Sequence, residues 1–467
     1  MSRTPEPGSP SLDRRDLLRL GAAGLGLGAA SSLSPALLLA GGPEGGTQVP
    51  PIPGPGPETP LAAPRLDAVR VGFVGVGLQG GSHVENFLKL EGVEVVALCD
   101  IDEARNREVA SQVVAAGRPE PSLYGRTPTD FVRMCETEEM DLVFTATPWE
   151  WHVPVCVAAM ENGSHVATEV PAAYTLEDCW KLVEIAEARR KHCVMMENCN
   201  YDRPEMLVFH MARLGLFGEI LHAECGYLHD LREIKFEDAH EGLWRRWHAT
   251  QRDANLYPTH GLGPVANVMD INRGDQFVTL VSMSSPSRGL QDWARQHYPE
   301  GHPRHEERYV LGDVNTSLLK TANGRTIYVS HDTNLPRPYS RIHMVQGTRG
   351  IFQGYPNRVY VEGRSPAHRW EEMSAYLQEF DHPLWKDLDE MSQGAGHGGM
   401  DFIEDYRLVK CLREGLPTDM NVYDAAAISA VGPLSEWSVA HGSQPAAFPD
   451  FTRGRWKTWP KLELFRA

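Results

Sequence analysis

An apolar, β-branched run over residues 69–76 feeds directly into Gly75-Val76-Gly77-Leu78-Gln79-Gly80, and this G-x-G-x-x-G junction constrains the fold more than any other feature of the chain. Such a turn needs a strand before it and a helix after it. Its glycines let backbone amides approach a pyrophosphate, and the helix N-terminus adds partial positive charge. The turn alone is a weak signal, but its context strengthens it. A second strand over 93–99 ends at Asp100, twenty residues after Gly80. A carboxylate at that point accepts from both ribose hydroxyls and repels a 2′-phosphate, which predicts NAD rather than NADP.

Helical periodicity over 103–116, 129–138, 154–162 and 176–191 alternates with strands over 141–147, 165–169 and 193–197. This alternation predicts an α/β fold with a parallel, doubly wound Rossmann sheet and a ligand crevice at the carboxyl ends of the strands. Three motifs fall at those ends: Thr147-Pro148-Trp149-Glu150-Trp151-His152, Glu169-Val170-Pro171 and Glu197-Asn198. Their shared address makes Trp149, His152, Glu169 and Asn198 candidate cofactor contacts. Beyond a helix near 205–216 the chain turns strand-rich, with runs over 220–227, 277–284, 314–321, 326–331 and 342–346, the third and fourth joined by an Asn323-Gly324 hairpin turn. A mostly antiparallel sheet in an α+β second domain is expected, with one face forming a substrate wall.

Before the first strand, Arg14-Arg15 precedes a Gly/Ala/Leu stretch to residue 40, which reads as a twin-arginine signal peptide. Residues 41–66 are Pro/Gly-rich and read as a disordered or extended linker. The expected organisation is therefore a leader over 1–40, this linker, a nucleotide domain over 67–197 and a substrate domain over 198–467. The expected partners are the twin-arginine export machinery and a small molecule outside the cytoplasm. A formal charge of −17 excludes a broad nucleic-acid surface. The eight cysteines form no CxxC pair and read as buried thiols; His302/His305 and His210/His222 have no further ligands at metal spacing, so no metal site is expected. No S-x-x-K or G-x-S-x-G nucleophile arrangement occurs.

With these motifs in place the first half resembles the Gfo/Idh/MocA oxidoreductases, although Glu169-Val170-Pro171 replaces the Glu-Lys-Pro usual there, and with it the lysine that assists alcohol oxidation. The second half carries Gly226-Tyr227-Leu228-His229-Asp230, Trp244-Arg245, Leu256-Tyr257-Pro258-Thr259-His260-Gly261, Met269-Asp270-Ile271-Asn272-Arg273-Gly274, Pro336-Arg337-Pro338-Tyr339 and Gly396-His397-Gly398-Gly399-Met400-Asp401. With these segments the chain is similar, from about residue 70 to 452, to glycoside hydrolase family 109, known as NAD-using α-N-acetylgalactosaminidases. The resemblance implies NAD contacts at Leu78, Gln79, Asp100, Trp149, Glu150, Trp151, His152, Glu169, Val170, Asn198 and Tyr257. It implies substrate contacts at Tyr227, Arg245, Tyr257, Pro258, Thr259, His260 and Tyr339.

The chemistry implied is oxidation at C3 of the sugar, loss of the C2 proton, elimination of the C1 substituent, water addition and re-reduction. On this reading His260 assists C3 oxidation, Tyr201 takes the C2 proton, and Arg245 lowers a phenol pKa or holds a sugar oxygen. The alternative is an exported NAD-dependent sugar or cyclitol dehydrogenase. Pairing through an open sheet face into a homodimer is expected by analogy.

Overall fold

The computed structural model describes residues 52–464; the leader expected over 1–40 lies outside the described residues, as does the start of the linker. Six strands, β1 (Val69–Val74), β2 (Val93–Cys99), β3 (Ser122–Tyr124), β4 (Leu142–Thr145), β5 (His165–Thr168) and β6 (Cys193–Met195), form a wholly parallel sheet in the order β3-β2-β1-β4-β5-β6. Near-continuous runs of Val, Leu, Phe and Ala make these strands two-sided, as a parallel sheet covered by helices on both faces requires. The topological switch falls between β1 and β4, above the glycine turn, so that is where this sheet has its crevice. Helix Leu78–Leu88 begins at the turn with no side-chain cap and no acidic residue in its first turn. Its leading amides are left to a ligand.

Gly75 explains its own place in the motif. Its φ is +79°, and a Cβ there would lie 2.8 Å from the Ala146 carbonyl oxygen. A Cβ at Gly80 would lie 2.0 Å from the Gly75 carbonyl oxygen, whereas one at Gly77 would meet only open space. Gly75 and Gly80 close the turn, and Gly77 leaves the side from which a pyrophosphate can approach.

The second sheet contains β7 (Ile220–Leu228), β8 (Phe277–Ser284), β9 (Val314–Thr321), β10 (Thr326–Asp332), β11 (Met344–Gly347), β12 (Gly350–Gln353), β13 (Arg358–Val361), β14 (Glu371–Glu372) and β15 (Ala446–Ala447). Its order is β14-β13-β12-β11-β7-β10-β9-β8-β15, antiparallel throughout except for the β7/β10 pair. Residues 323 and 324 close the β9/β10 hairpin as the sequence predicts. Sequence patterning misses β3 and β12–β15, which have two to four residues each, too few for a period-2 signal. All eight cysteines are buried and free.

Three expected segments are arranged differently. The helix expected from 154 begins earlier: it spans Trp149–Glu161, with Pro148 at its N-cap, and takes in residues 149–152 of the strand-end motif. Pro154 is the sixth residue of this helix, so the Glu150 carbonyl lacks its i→i−4 donor there. The described part of the segment expected as a linker is held: Arg455 Nε donates to Gly56 O at 2.8 Å and Trp459 Nε1 to Pro57 O at 3.1 Å. The division at residue 197 is also crossed by the chain's end. Helices Met400–Glu414 and Val422–Ser429 return to pack on helix Leu78–Leu88 and on β6 with helix Leu176–Arg189.

Candidate active site

Helix Thr259–Val268 lies against the buried face of β7, and two glycines set how close it comes. A Cβ on Gly261 would sit 2.3 Å from the Gly226 backbone nitrogen. This approach places the neighbours Tyr227 and His260 side by side, with ring centroids 5.4 Å apart. Tyr257 joins them, 4.5 Å from Tyr227 and 4.9 Å from His260. Tyr339 stands edge-on to Tyr227 at 6.1 Å.

His260 is held from behind. Its Nδ1 donates to Glu197 Oε1 at 2.8 Å, and the same oxygen accepts from the Cys199 amide at 3.1 Å. Because a carboxylate oxygen accepts and does not donate, the ring proton sits on Nδ1. Nε2 faces the cluster, 3.4 Å from the Tyr257 hydroxyl. Glu197 follows β6 and is fully buried, so one strand end fixes the orientation of the imidazole.

Arg245 reaches the same cluster from helix Gly242–Gln251. Its guanidinium is tied to Glu241 Oε2 at 2.5 Å and lies over Trp244, Tyr257 and Trp149 at 4.5, 5.3 and 5.7 Å. Burial opposes its charge, but Glu241 and the neighbouring phenols raise its pKa further above the ordinary value. Arg245 pulls the Tyr227 and Tyr257 pKa values down, the direction expected of it. Burial outweighs it, pushing Tyr227 up to about 12 and Tyr257 and Tyr339 well above the ordinary phenol value. These phenols are hydrogen-bond donors here, not bases.

Tyr201 is not part of this cluster. Its hydroxyl donates to Asp419 Oδ2 at 3.0 Å, and Arg407 grips the same carboxylate at 2.8 and 2.9 Å. Burial, then Asp419, raises the Tyr201 pKa well above ordinary. The helical turn Asn198–Tyr201 turns the ring into the interior, so its expected role as the C2 base is withdrawn.

On the nucleotide side, Asp100 Oδ2 accepts from the Val76 amide at 2.8 Å and Oδ1 from the Asp102 amide at 2.8 Å, so the acid also fastens the glycine turn. Leu78 is 67% exposed at the helix start, an apolar surface with no protein cover. Glu169 and Val170 stand at the end of β5, Val170 buried and Glu169 Oε1 3.0 Å from His83 Nε2. Trp149 is buried between Trp244, His248 and Tyr257, with ring centroids at 4.7, 4.8 and 5.9 Å. It joins the two halves of the site.

Several expected contacts are placed otherwise. His152 bridges the carbonyl oxygens of Thr147 and Pro171, each at 2.8 Å, and so braces two strand-end loops rather than facing a ligand. Trp151 packs on Phe131, Glu150 is largely buried with its pKa raised by that burial, and Pro258 and Thr259 are interior residues at a helix start.

Sequence reasoning missed a buried polar network behind the turn. His83, on helix Leu78–Leu88, lies between Glu169 and Asp405, whose carboxylate is 2.9 Å from Nδ1. Burial works against its charge, but Asp405 and then Glu169 raise its pKa well above ordinary. Gln79 Nε2 and Asn198 Nδ2 donate to Asp401 at 3.1 and 2.7 Å, and His397 Nδ1 lies 2.8 Å from that carboxylate. Residues 397–399 all have positive φ, which turns the chain sharply into helix Met400–Glu414 and brings Asp401 and Asp405 to the turn. The signals available were His83 and Asn86, three residues apart on one helix, and the Gly396–Asp401 segment, which carried no assigned role.

Glu197, Cys199 and His260 have ligand atoms within 4.8 Å of one another, the one such trio among the described residues. Burial raises the Cys199 thiol, which donates to Asn198 Oδ1 at 3.4 Å, while Glu197 Oε1 serves His260 and a backbone amide. Metal ligation needs a thiolate, which the burial of Cys199 opposes, and Glu197 Oε1 already orients His260.

The parallel sheet, the open glycine turn and the acid after β2 define an NAD-binding oxidoreductase fold, and residues 69–198 match the family described as "Oxidoreductase family, NAD-binding Rossmann fold". Solved structures agree at the level of fold. An NAD binding oxidoreductase from Klebsiella pneumoniae superposes with a TM-score of 0.65 at 15% identity, over 82% of this chain and all of that one. An inositol dehydrogenase homolog from Azotobacter vinelandii, complexed with NADH and myo-inositol, gives 0.60 at 20% identity, over 82% of this chain and 98% of that one. Residues 201–458 match "Glycosyl hydrolase 109, C-terminal domain". A glycosyl hydrolase family 109 protein of Shewanella pealeana is 46% identical over 97% of this chain and 99% of its own, and one of Solibacter usitatus 46% identical over 95% and 98%. The chain belongs to glycosyl hydrolase family 109, and it is a glycoside hydrolase that uses NAD.

Proposed function

We propose that this enzyme removes terminal α-linked N-acetylgalactosamine through a redox-assisted elimination in which His260 Nε2 is the working base. Bound NAD supplies a hydride acceptor that makes C3 a ketone and so acidifies the C2 proton, and afterwards gives the hydride back. The observation that carries the reading is the 2.8 Å bond from His260 Nδ1 to buried Glu197, which turns Nε2 toward three phenols that burial keeps protonated. Nε2 takes the C3 hydroxyl proton, and Glu197 balances the imidazolium charge as it forms. Tyr257 and Tyr227 donate to sugar oxygens, and Arg245 neutralises charge building on the departing side. With Tyr201 turned away, His260 Nε2 also takes the C2 proton, once it has passed the C3 hydroxyl proton to solvent, while Tyr257 stays a donor.

Purified protein should release p-nitrophenol steadily from p-nitrophenyl α-N-acetylgalactosaminide without added cofactor and without rising absorbance at 340 nm. Accumulation of NADH from free sugars with no aglycone release would make it a dehydrogenase instead. Export through the twin-arginine route belongs to the same proposal, carried by Arg14-Arg15. Changing both to lysine should retain the protein in the cytoplasm. Pairing of two copies through the open face of the second sheet is also proposed, since Met283, Leu318, Lys320 and Thr326 are exposed there.

A further inference from the structure

A cavity of about 310 Å³ opens beside the tyrosine cluster, between the start of helix Arg203–Arg213 and the turn joining β12 to β13. Asp202, Glu205, Arg341, Tyr355 and Asn357 line it. Its size lies at the lower end of the range of about 300–1,000 Å³ for ligand clefts, enough for one sugar residue. Nothing assigned above uses this space.

Two features tie it to the active site. The buried Arg341 guanidinium belongs to both: Nη1 donates to the Tyr339 hydroxyl at 3.3 Å, while Nε and Nη2 reach Glu205 Oε1 at 3.0 and 2.8 Å and Nη2 also pairs with Asp202. The aromatic rings also run on without a break, from His260 to Tyr227 at 5.4 Å, to Tyr339 at 6.1 Å and to Tyr355 at 6.2 Å. Tyr355 ends the series 41% exposed at the mouth.

The wall chemistry limits the occupant. Two carboxylates face one guanidinium, an excess of acceptors and of negative charge. Glu205 is 2% exposed, and its Oε2 has no hydrogen-bond partner. An unpaired buried oxygen of this kind costs stability unless a donor reaches it. Hydroxyl donors with an apolar ring face satisfy both the carboxylates and Tyr355, whereas an anionic group would be repelled.

We infer that this cavity is the subsite for the residue to which the terminal sugar is attached, and that it takes a neutral sugar. The inference rests on the glycosidase reading above. A methyl glycoside of N-acetylgalactosamine leaves the cavity empty. A disaccharide with that terminal sugar and a neutral second residue fills it, and the same disaccharide sulfated on the second residue places an anion there.

For the wild-type enzyme, kcat/KM should be at least tenfold higher on the neutral disaccharide than on the methyl glycoside, with the sulfated one at least tenfold below the neutral. Tyr355→Ala should lose at least fivefold on the neutral disaccharide and stay within twofold of wild type on the methyl glycoside; Tyr355→Phe should keep the gain. Equal kcat/KM on methyl glycoside and disaccharide, or equal losses on both in Tyr355→Ala, would overturn the subsite. If neither glycoside is hydrolysed, the glycosidase reading fails, and ligand-observed NMR titration with the neutral disaccharide still decides the cavity. Binding weakened at least fivefold by Tyr355→Ala supports it, and unchanged binding removes it.

Discussion

Replacing Glu197 by glutamine changes the charge behind His260 and almost nothing in shape. The Cys199 amide, 3.1 Å from Oε1, selects the carbonyl end of the new side chain for that position, so His260 Nδ1 keeps its acceptor and Nε2 keeps its lone pair. What is lost is the negative charge that stabilises the imidazolium once Nε2 takes a proton. With charge centres on the order of 4 Å apart and an effective dielectric of about 20, that attraction is about 4 kcal/mol, or about a thousandfold in rate. The new amide NH₂ takes the place of Oε2, which has no partner, at a cost on the order of 1–3 kcal/mol of stability. The assay is kcat on p-nitrophenyl α-N-acetylgalactosaminide, together with NAD affinity from quenching of tryptophan fluorescence. Affinity should be unchanged. A kcat within tenfold of wild type would refute the assignment of His260 as a base backed by Glu197.

Tyr201→Phe should leave kcat within about threefold and lower stability by about 1–3 kcal/mol, since the change strips one donor from the buried Asp419 carboxylate; loss of turnover in a folded variant would restore Tyr201 to the chemistry. Gly261→Ala forces its new Cβ into the Gly226 backbone, 2.3 Å away. It should separate Tyr227 from His260 and reduce kcat by about a hundredfold, the order expected for a displacement near 1 Å, with NAD affinity retained; a normal kcat would show that the close approach does not set the site. His83 is protonated more readily folded than unfolded, so its contribution is complete below about pH 6.5 and fades as pH rises through its raised value. The melting-temperature gap between wild type and His83→Gln should therefore be widest near pH 6 and narrow toward pH 9, and a gap that widens with pH would contradict the buried imidazolium.

The sequence by itself determined the parts of this protein that depend on local backbone chemistry and on regular periodicity. The glycine turn, Asp100 and the alternating helices and strands were legible because each is encoded within a few tens of residues, and a two-sided parallel strand must read as an apolar run. The Tyr257–Gly261 segment was legible only as a family pattern. Tertiary structure decided which side chains meet. Tyr201 and His260 were both candidate bases, yet a single helical turn after β6 sends Tyr201 to Asp419 and leaves Glu197 behind His260. The network joining His83 to Asp405 spans 322 residues of chain, beyond the reach of any local pattern. The same limit hid the role of Arg341, which touches Tyr339 two residues away and Asp202 139 residues away. Propensity acts along the chain, whereas a proton's acceptor is set by packing across it, so the fold could be read from the sequence and the base's partner could not.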